Sequence, residues 1–295
     1  MMDTFKPISI EAKKDFDRVL TRAQPESSDF NFSNLWMWAS TYNLTAQFLP
    51  ELDYWLLLAR PTKWKPFFFA PLGDWSDEDK LLAAWQRLKQ AARTLQIQPM
   101  LRRVPRTILD KLLRLEPQLQ CHEDRNTYDY LYKVESLIQL SGRKLHRKRN
   151  QLNQFLRKYQ WTYQAMDPEV AAVCLELKTS WFDLKERNDE NEAMLRLLRN
   201  FASLGLTGGV IRINGEIQAL TVGEPLNRQT ALIHIEKANT DYDGIYAVIN
   251  QQFVSRHWSH LIYINREEDL GIEGLRQVKT SYQPWRLVEK YDVWQ

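Results

Sequence analysis

The stretch GVIRINGEIQALTV, residues 209–222, constrains the fold more than any other part of the chain. Apolar and polar residues alternate on both sides of Asn214-Gly215, and that pair accepts the positive φ angles of a two-residue hairpin turn. The chain therefore contains an antiparallel sheet. Ala231 to Lys237 reads as a third strand, followed by a helix from about Gly244 to Arg256. Leu261 to Ile264 is another β-prone run, and Asn265 to Asp269 is a polar corner beyond it. Gly271 and Gly274 permit a tight turn before Leu275, Val278 and Tyr282 mark a short helical stripe. Trp285 to Trp294 is expected to be a last strand.

Upstream of the hairpin, Trp161 to Met166 reads as a strand and Pro168 to Lys185 as a helix. Glu190 to Leu204 reads as a second helix, with Met194, Leu197, Leu198 and Phe201 on one face and Gly205 closing it. The first half repeats this order. Phe5 to Ile10 is an expected strand, Glu11 to Arg22 a helix, and SDFNFSNLWMWASTYN an aromatic helix capped by Ser28 or Ser33. Three strands follow, Thr45 to Leu49, Tyr54 to Arg60 and Lys65 to Ala70, punctuated by Pro50, Pro61 and Pro71. A helix from Ser76 to about Leu95 carries acids in its first turn, where the helix dipole favours them. Ile97 to Val104 is a further strand, and Pro105 suits the start of the next helix.

Strand, two helices, three antiparallel strands, helix, strand, helix, strand is the order of the GNAT acyltransferase fold, and it occurs twice. The expected fold class is therefore α+β, with two tandem GNAT-like domains, each a mixed, mainly antiparallel sheet flanked by helices. Residues 1–132 would form the first domain, 133–159 a connecting basic helix region, and 160–295 the second domain with the site.

With 295 residues, 44% of them hydrophobic and 12% aromatic, the chain has ample material for such cores. A net charge of +3 is too small to mark the whole chain as a nucleic-acid binder, so an anionic partner needs a local patch. Cys121 and Cys174 stand alone, without disulfide or zinc spacing, which fits a reducing cytoplasm. The N-terminal residues lack a signal-peptide pattern, and the longest apolar runs fall far short of the ~20 residues that span a bilayer. Membrane contact would be peripheral at most.

Four constellations could carry chemistry. SGRKLHRKRNQLNQFLRK has Arg143, Lys144, Arg147 and Arg149 placed to meet phosphates, with Leu145, Leu152, Phe155, Leu156 and Tyr159 near the opposite helical face. The same cations also suit a solvated face. His234 and Glu236 share one strand face by period two, a pairing fit for acid-base work or for an internal hydrogen bond. Lys237, Asp241, Asp243 and Tyr246 border the turn into the next helix. One glycine and two carboxylates there suit an amine better than the pyrophosphate of acetyl-coenzyme A. In the polar corner, Asn265 and Glu267 join His234 and Glu236 as catalytic candidates. Arg266 and Arg276 would hold a phosphate or carboxylate and Glu267 or Asp269 an amino group, with Lys279 a further substrate contact, unless these charges are a surface network. No P-loop, dinucleotide glycine pattern, nucleophile elbow or zinc-protease motif occurs.

SDFNFSNLWMW, LSGRKLHRKRNQLNQF, LTGGVIRINGEIQALTVGE, HIEKANTDYDGIY and YINREEDLGIEGLRQVKTSYQP together resemble bacterial proteins grouped with the C-terminal domain of phosphatidylglycerol lysyltransferases. The resemblance covers almost the whole chain. It implies a tandem GNAT-like fold related also to the Fem peptidyltransferases, and an aminoacyl or acyl transfer from aminoacyl-tRNA, or acyl-CoA, to a lipid, peptide or small-molecule acceptor. In such a transfer the acceptor attacks an activated ester, so the protein orients two substrates and stabilises an oxyanion without a nucleophile of its own. The basic helix would meet tRNA or another phosphorylated substrate. Two departures stand out: the lysyltransferases carry a large transmembrane domain that this sequence lacks, and the acidic turn disfavours acetyl-coenzyme A. A non-catalytic module for a charged metabolite and an acetyl-CoA-dependent N-acetyltransferase are the alternative readings. Donor, acceptor and oligomeric state are not written in the sequence.

Overall fold

The computed structural model describes residues 5–184 and 188–295. In chain order the strands are β1 (Lys6–Pro7), β2 (Thr45–Leu49), β3 (Tyr54–Ala59), β4 (Phe67–Phe68), β5 (Leu101–Pro105), β6 (Gln120–Glu123) and β7 (Asp129–Lys133). After these come β8 (Trp161–Met166), β9 (Thr207–Ile213), β10 (Glu216–Asn227), β11 (Thr230–Ala238), β12 (Tyr263–Asn265), β13 (Arg286–Val288) and β14 (Lys290–Trp294). The helices are α1 (Lys13–Ala23), α2 (Phe32–Met37), α3 (Glu78–Thr94), α4 (Arg106–Leu115), α5 (Val134–Gln139), α6 (His146–Lys158), α7 (Pro168–Leu175), α8 (Asp189–Arg199), α9 (Phe201–Leu204), α10 (Ile245–His257) and α11 (Glu273–Ser281). None is long and apolar enough to cross a membrane among the described residues.

The strands make two seven-stranded sheets, ordered β1-β2-β3-β4-β5-β14-β6 and β13-β7-β12-β11-β10-β9-β8. Each holds a run of antiparallel strands and a parallel step, β4 with β5 in the first and β11 with β12 in the second. The chain divides into a unit of residues 1–128 and 288–295 and a unit of residues 129–287. This differs from the ranges 1–132, 133–159 and 160–295, because two strands change places. β7 leaves the first half to lie between β12 and β13, and β14, the last strand, lies between β5 and β6. The expected single strand Trp285 to Trp294 is accordingly two strands in two sheets. The basic connecting region belongs to the second unit, where α5 and α6 pack on α10.

Local chemistry explains most element ends. Asn31, not Ser28 or Ser33, caps α2 by accepting the Asn34 amide at 2.9 Å. Asp77 and Asp167 cap α3 and α7 in the same way. Asn214 and Gly215 have φ of 52° and 84°, as the hairpin turn requires. The helix expected over Pro168 to Lys185 ends at Leu175, and Lys185 lies outside the described residues. The helix expected over Glu190 to Leu204 breaks at Asn200, whose side chain turns back onto the Arg196 carbonyl.

In the first unit, β14 is fastened by charge. Lys290 is fully buried with Nζ 2.5 Å from Asp29 Oδ2, and Arg103 donates to the other oxygen of Asp29 at 2.9 Å. Burial raises the Asp29 carboxyl, but the two cations outweigh it and hold it down to about 2. Removing β14 would leave this carboxylate without its lysine, a loss worth about 3–5 kcal/mol for a buried pair. A chain ending at Val288 should therefore lose the cooperative unfolding of the first unit although residues 5–128 are intact. Urea unfolding followed by Trp fluorescence, with limited proteolysis, checks this; an unchanged first-unit transition would refute it.

Candidate functional site

β11 and β12 run parallel for only three residues, Thr230 to Leu232 beside Tyr263 to Asn265. β11 then continues to Ala238, while the chain after Asn265 turns toward β7, with the Arg266 amide on the Tyr130 carbonyl at 3.0 Å. The parallel pair thus parts at its carboxyl end, the kind of place where mixed sheets receive ligands. His234, Glu236, Arg266 and Glu267 meet across this parting.

His234 owes its position to a bulge. Val222 pairs with Ile235 and Gly223 with Ile233, which makes His234 an extra residue on β11. Gly223 permits this because a Cβ there would lie 2.4 Å from the Leu232 carbonyl oxygen. The His234 side chain has no solvent exposure; Nδ1 is 3.0 Å from Glu267 Oε1 and Nε2 is 2.9 Å from Glu224 Oε1. Burial alone would lower its pKa, but the two carboxylates outweigh burial and raise it to about 9. Burial pushes the Glu267 carboxyl up, against the pull of His234. With both ring nitrogens engaged, His234 sits behind the site, and Glu267, at φ 54°, is the member of this trio nearest to solvent.

Glu236 bridges two elements. One oxygen accepts from Arg266 Nη2 at 2.6 Å and the other from Asn250 Nδ2 of α10 at 2.9 Å. Arg266 is buried against the rings of Tyr132 and Tyr282, with Cζ 5.7 and 4.9 Å from their centroids. Lys148 of α6 reaches the same Tyr282 ring, with Nζ 4.4 Å from its centroid. Burial first, then the charges of Arg266 and Arg147, bring the Lys148 amine down to about 8, against the opposing pull of Glu236.

The remaining polar residues of the corner hold the loop itself. Asn265 donates to Asp129 and accepts the Glu267 amide at 2.8 Å. Asp269 is buried and accepts from Arg276 through two nitrogens, from the Tyr130 hydroxyl at 2.6 Å and from the Gly271 amide. Lys279 is buried and donates to the carbonyls of Arg266 (2.6 Å) and Glu268. Asn265, Asp269, Arg276 and Lys279 are thus engaged in holding the loop.

Other predicted residues lie farther out. Lys237 pairs with Glu190 at 2.7 Å, and Tyr246 is 37% exposed. Asp241 and Asp243 are exposed, and Asp243 lies 3.4 Å from Lys158. Arg143, Lys144 and Arg147 are exposed, but Arg149 donates to the Leu140 and Gly142 carbonyls and so is a loop clasp. Leu156, expected on the packed face of α6, is exposed, whereas Leu152 and Phe155 are buried. The turn into α10 does not fit a coenzyme A pyrophosphate. Gly244 packs so closely on α6 that a Cβ would lie 2.3 Å from the Gln151 carbonyl oxygen, and the Ile245 and Ala247 amides already bond to Tyr242 and Gly244.

Sequence reasoning missed Glu224, Asn250, Lys148 and the tyrosines Tyr132 and Tyr282. One signal was available, since Gly223 inside a strand pattern marks a bulge. Lys148 was hidden as one cation among many.

The family described as phosphatidylglycerol lysyltransferase, C-terminal, matches residues 21–293. The chain belongs to that family. A conserved protein of unknown function from Bacteroides thetaiotaomicron is similar over 99% of both chains, with 33% identity and a TM-score of 0.90. L-PGS from Bacillus licheniformis has 15% identity and a TM-score of 0.67 over 100% of this chain and 94% of its own. A tandem GNAT protein from the clavulanic acid biosynthesis pathway has 12% identity and a TM-score of 0.52, over 98% of this chain and 97% of its own. The two sheets are therefore two GNAT-like halves, as expected. An uncharacterized protein of Mycoplasmoides gallisepticum is 26% identical over 172 residues, 56% of this chain and 55% of that relative's length.

The His234 linkage has a definite sign. Its pKa is 6.5 in the unfolded chain and about 9 in the fold, so its stabilisation is complete below pH 6.5 and is lost as pH rises through 9. Urea unfolding across that interval should show a fall on the order of 3 kcal/mol in the wild type. His234→Gln should lack that fall; equal pH dependence in both proteins would exclude the linkage.

Proposed function

We propose that the protein transfers an aminoacyl group from an aminoacyl-tRNA to an amine- or hydroxyl-bearing acceptor, in the second unit, at the parting of β11 and β12. Membership of the lysyltransferase family over residues 21–293 carries this reading. The site chemistry supports it. The donor is already an activated ester, so the protein needs no nucleophile, and none of the named site residues is a Ser or Cys. What it needs is orientation of the donor beside the acceptor. Arg266 supplies fixed positive charge for that, held by Glu236 and Tyr282 so that it does not reorganise during the reaction. Glu267, with its carboxyl pushed up by burial, can accept the proton of the attacking amine or hydroxyl and return it to the departing ribose oxygen. His234 and Glu224 keep that carboxyl in place. The exposed Arg143, Lys144 and Arg147 would steer the nucleic acid. The family's name gives a lysyl group and phosphatidylglycerol as one substrate pair, and the acceptor proposed here is a class.

A panel of charged tRNAs with lipid, peptide and small-molecule acceptors tests the reading. Transfer should be detectable with at least one pair. Glu267→Gln should lower kcat about 100-fold or more with little change in KM, the usual scale for a lost general base. No transfer across the panel, or full activity in Glu267→Gln, would count against this assignment.

A further inference from the structure

Arg266 and Lys148 leave positive charge unanswered in a largely buried place. Arg266 Nη2 is taken by Glu236, but Nη1 is buried and makes no hydrogen bond, although the Tyr282 hydroxyl helps to stabilise the guanidinium. Lys148 Nζ rests over the Tyr282 ring, which Arg266 also faces, and among the described residues it meets no carboxylate or hydrogen-bond acceptor. Two cations therefore share one ring and a single carboxylate, Glu236. Arg147, exposed and next in sequence, adds to the excess. Like charges so arranged repel, and burial strengthens the repulsion. A cation over an aromatic face recovers only about 0.5–2 kcal/mol.

We propose that Lys148 and Arg266 bind one phosphate group, that of an RNA strand whose neighbouring phosphates lie on Arg147, Lys144 and Arg143. A phosphate offers several acceptor oxygens, enough to receive Arg266 Nη1 and Lys148 Nζ together, and its negative charge removes the repulsion between them. RNA is favoured over a lipid headgroup because Arg147, Lys144 and Arg143, the cations that precede Lys148, are all exposed. Several phosphates in succession, as a strand offers, suit several cations. The bound phosphate would sit beside Glu236 and bring the end of the strand to the parting of β11 and β12. The assignment rests on the tRNA-dependent reading above and adds to it the point at which the RNA enters the site.

The probe is the ribotrinucleotide CCA, whose phosphodiesters keep their charge in the working range, titrated into the full chain by calorimetry. Lys148→Met keeps the packing of the stem on Tyr282 and should bind CCA about tenfold or more weakly. Binding by the wild type should weaken as pH rises through about 8, where the amine loses its proton between Arg147, Arg266, Glu236 and Tyr282. Lys148→Arg should bind well and lose that pH dependence, an outcome that a purely structural lysine would not produce. Equal CCA binding by wild type and Lys148→Met overturns the site. Phosphatidylglycerol vesicles that bind through Lys148 while CCA does not would transfer the site to a lipid and overturn the RNA assignment. Lys148-dependent CCA binding in a protein with no transferase activity would leave this site standing and remove the transfer reaction alone.

Discussion

The ion pair of Arg266 with Glu236 is the contact on which the second unit's site depends. Two parallel strands that part leave their carboxyl ends without mutual hydrogen bonds, and the residues there must satisfy one another through side chains. Glu236 does so from β11, Arg266 from the turn after β12, and Asn250 from α10. Tyr132, Tyr282 and Lys148 build on the guanidinium, and Lys279 holds the Arg266 carbonyl. Removing either partner of the pair would strand a buried charge. The pair is therefore a framework for the site as well as a feature of it.

A second constraint acts through topology. β7 and β14 occupy the same place in their respective sheets, each beside the strand that follows the parallel step. The first unit is made of two separate segments of chain, and each sheet is complete only when a strand distant in sequence has joined it. Buried charge marks both insertions: Lys290 with Asp29 at β14, and Asn265 with Asp129 at β7. Polar groups so deeply placed tolerate few alternative registers.

Much of this was legible in the sequence. Asn214-Gly215, the alternation around it and the acidic first turn of α3 are local signals, and the structure realises them at those residues. Family resemblance likewise rested on continuous motifs. The exchange of β7 and β14 was not legible, because Asp129 to Lys133 and Lys290 to Trp294 carry no mark of the sheet they will join. At the site, His234, Glu236, Arg266 and Glu267 were found together because they lie near strand ends. Asn265, Asp269, Arg276 and Lys279 were grouped with them by polarity alone. Charge in a sequence does not say whether a side chain faces a ligand or closes its own loop; that depends on partners such as Tyr130 and Asp129, more than a hundred residues away.

The arrangement suits a transfer in which the protein positions an activated donor and needs only one carboxyl for proton movement. A sealed histidine with two glutamates keeps that carboxyl in place, a caged arginine supplies positive charge, and a basic helix leads toward both. The caged arginine depends on Glu236 and Arg266 acting as one unit. A double-mutant cycle on these two residues, read by urea unfolding, tests that dependence most directly. The account predicts a coupling of about 1–3 kcal/mol, with Glu236→Gln and Arg266→Gln together costing less than the sum of the separate changes. Strictly additive costs would contradict it.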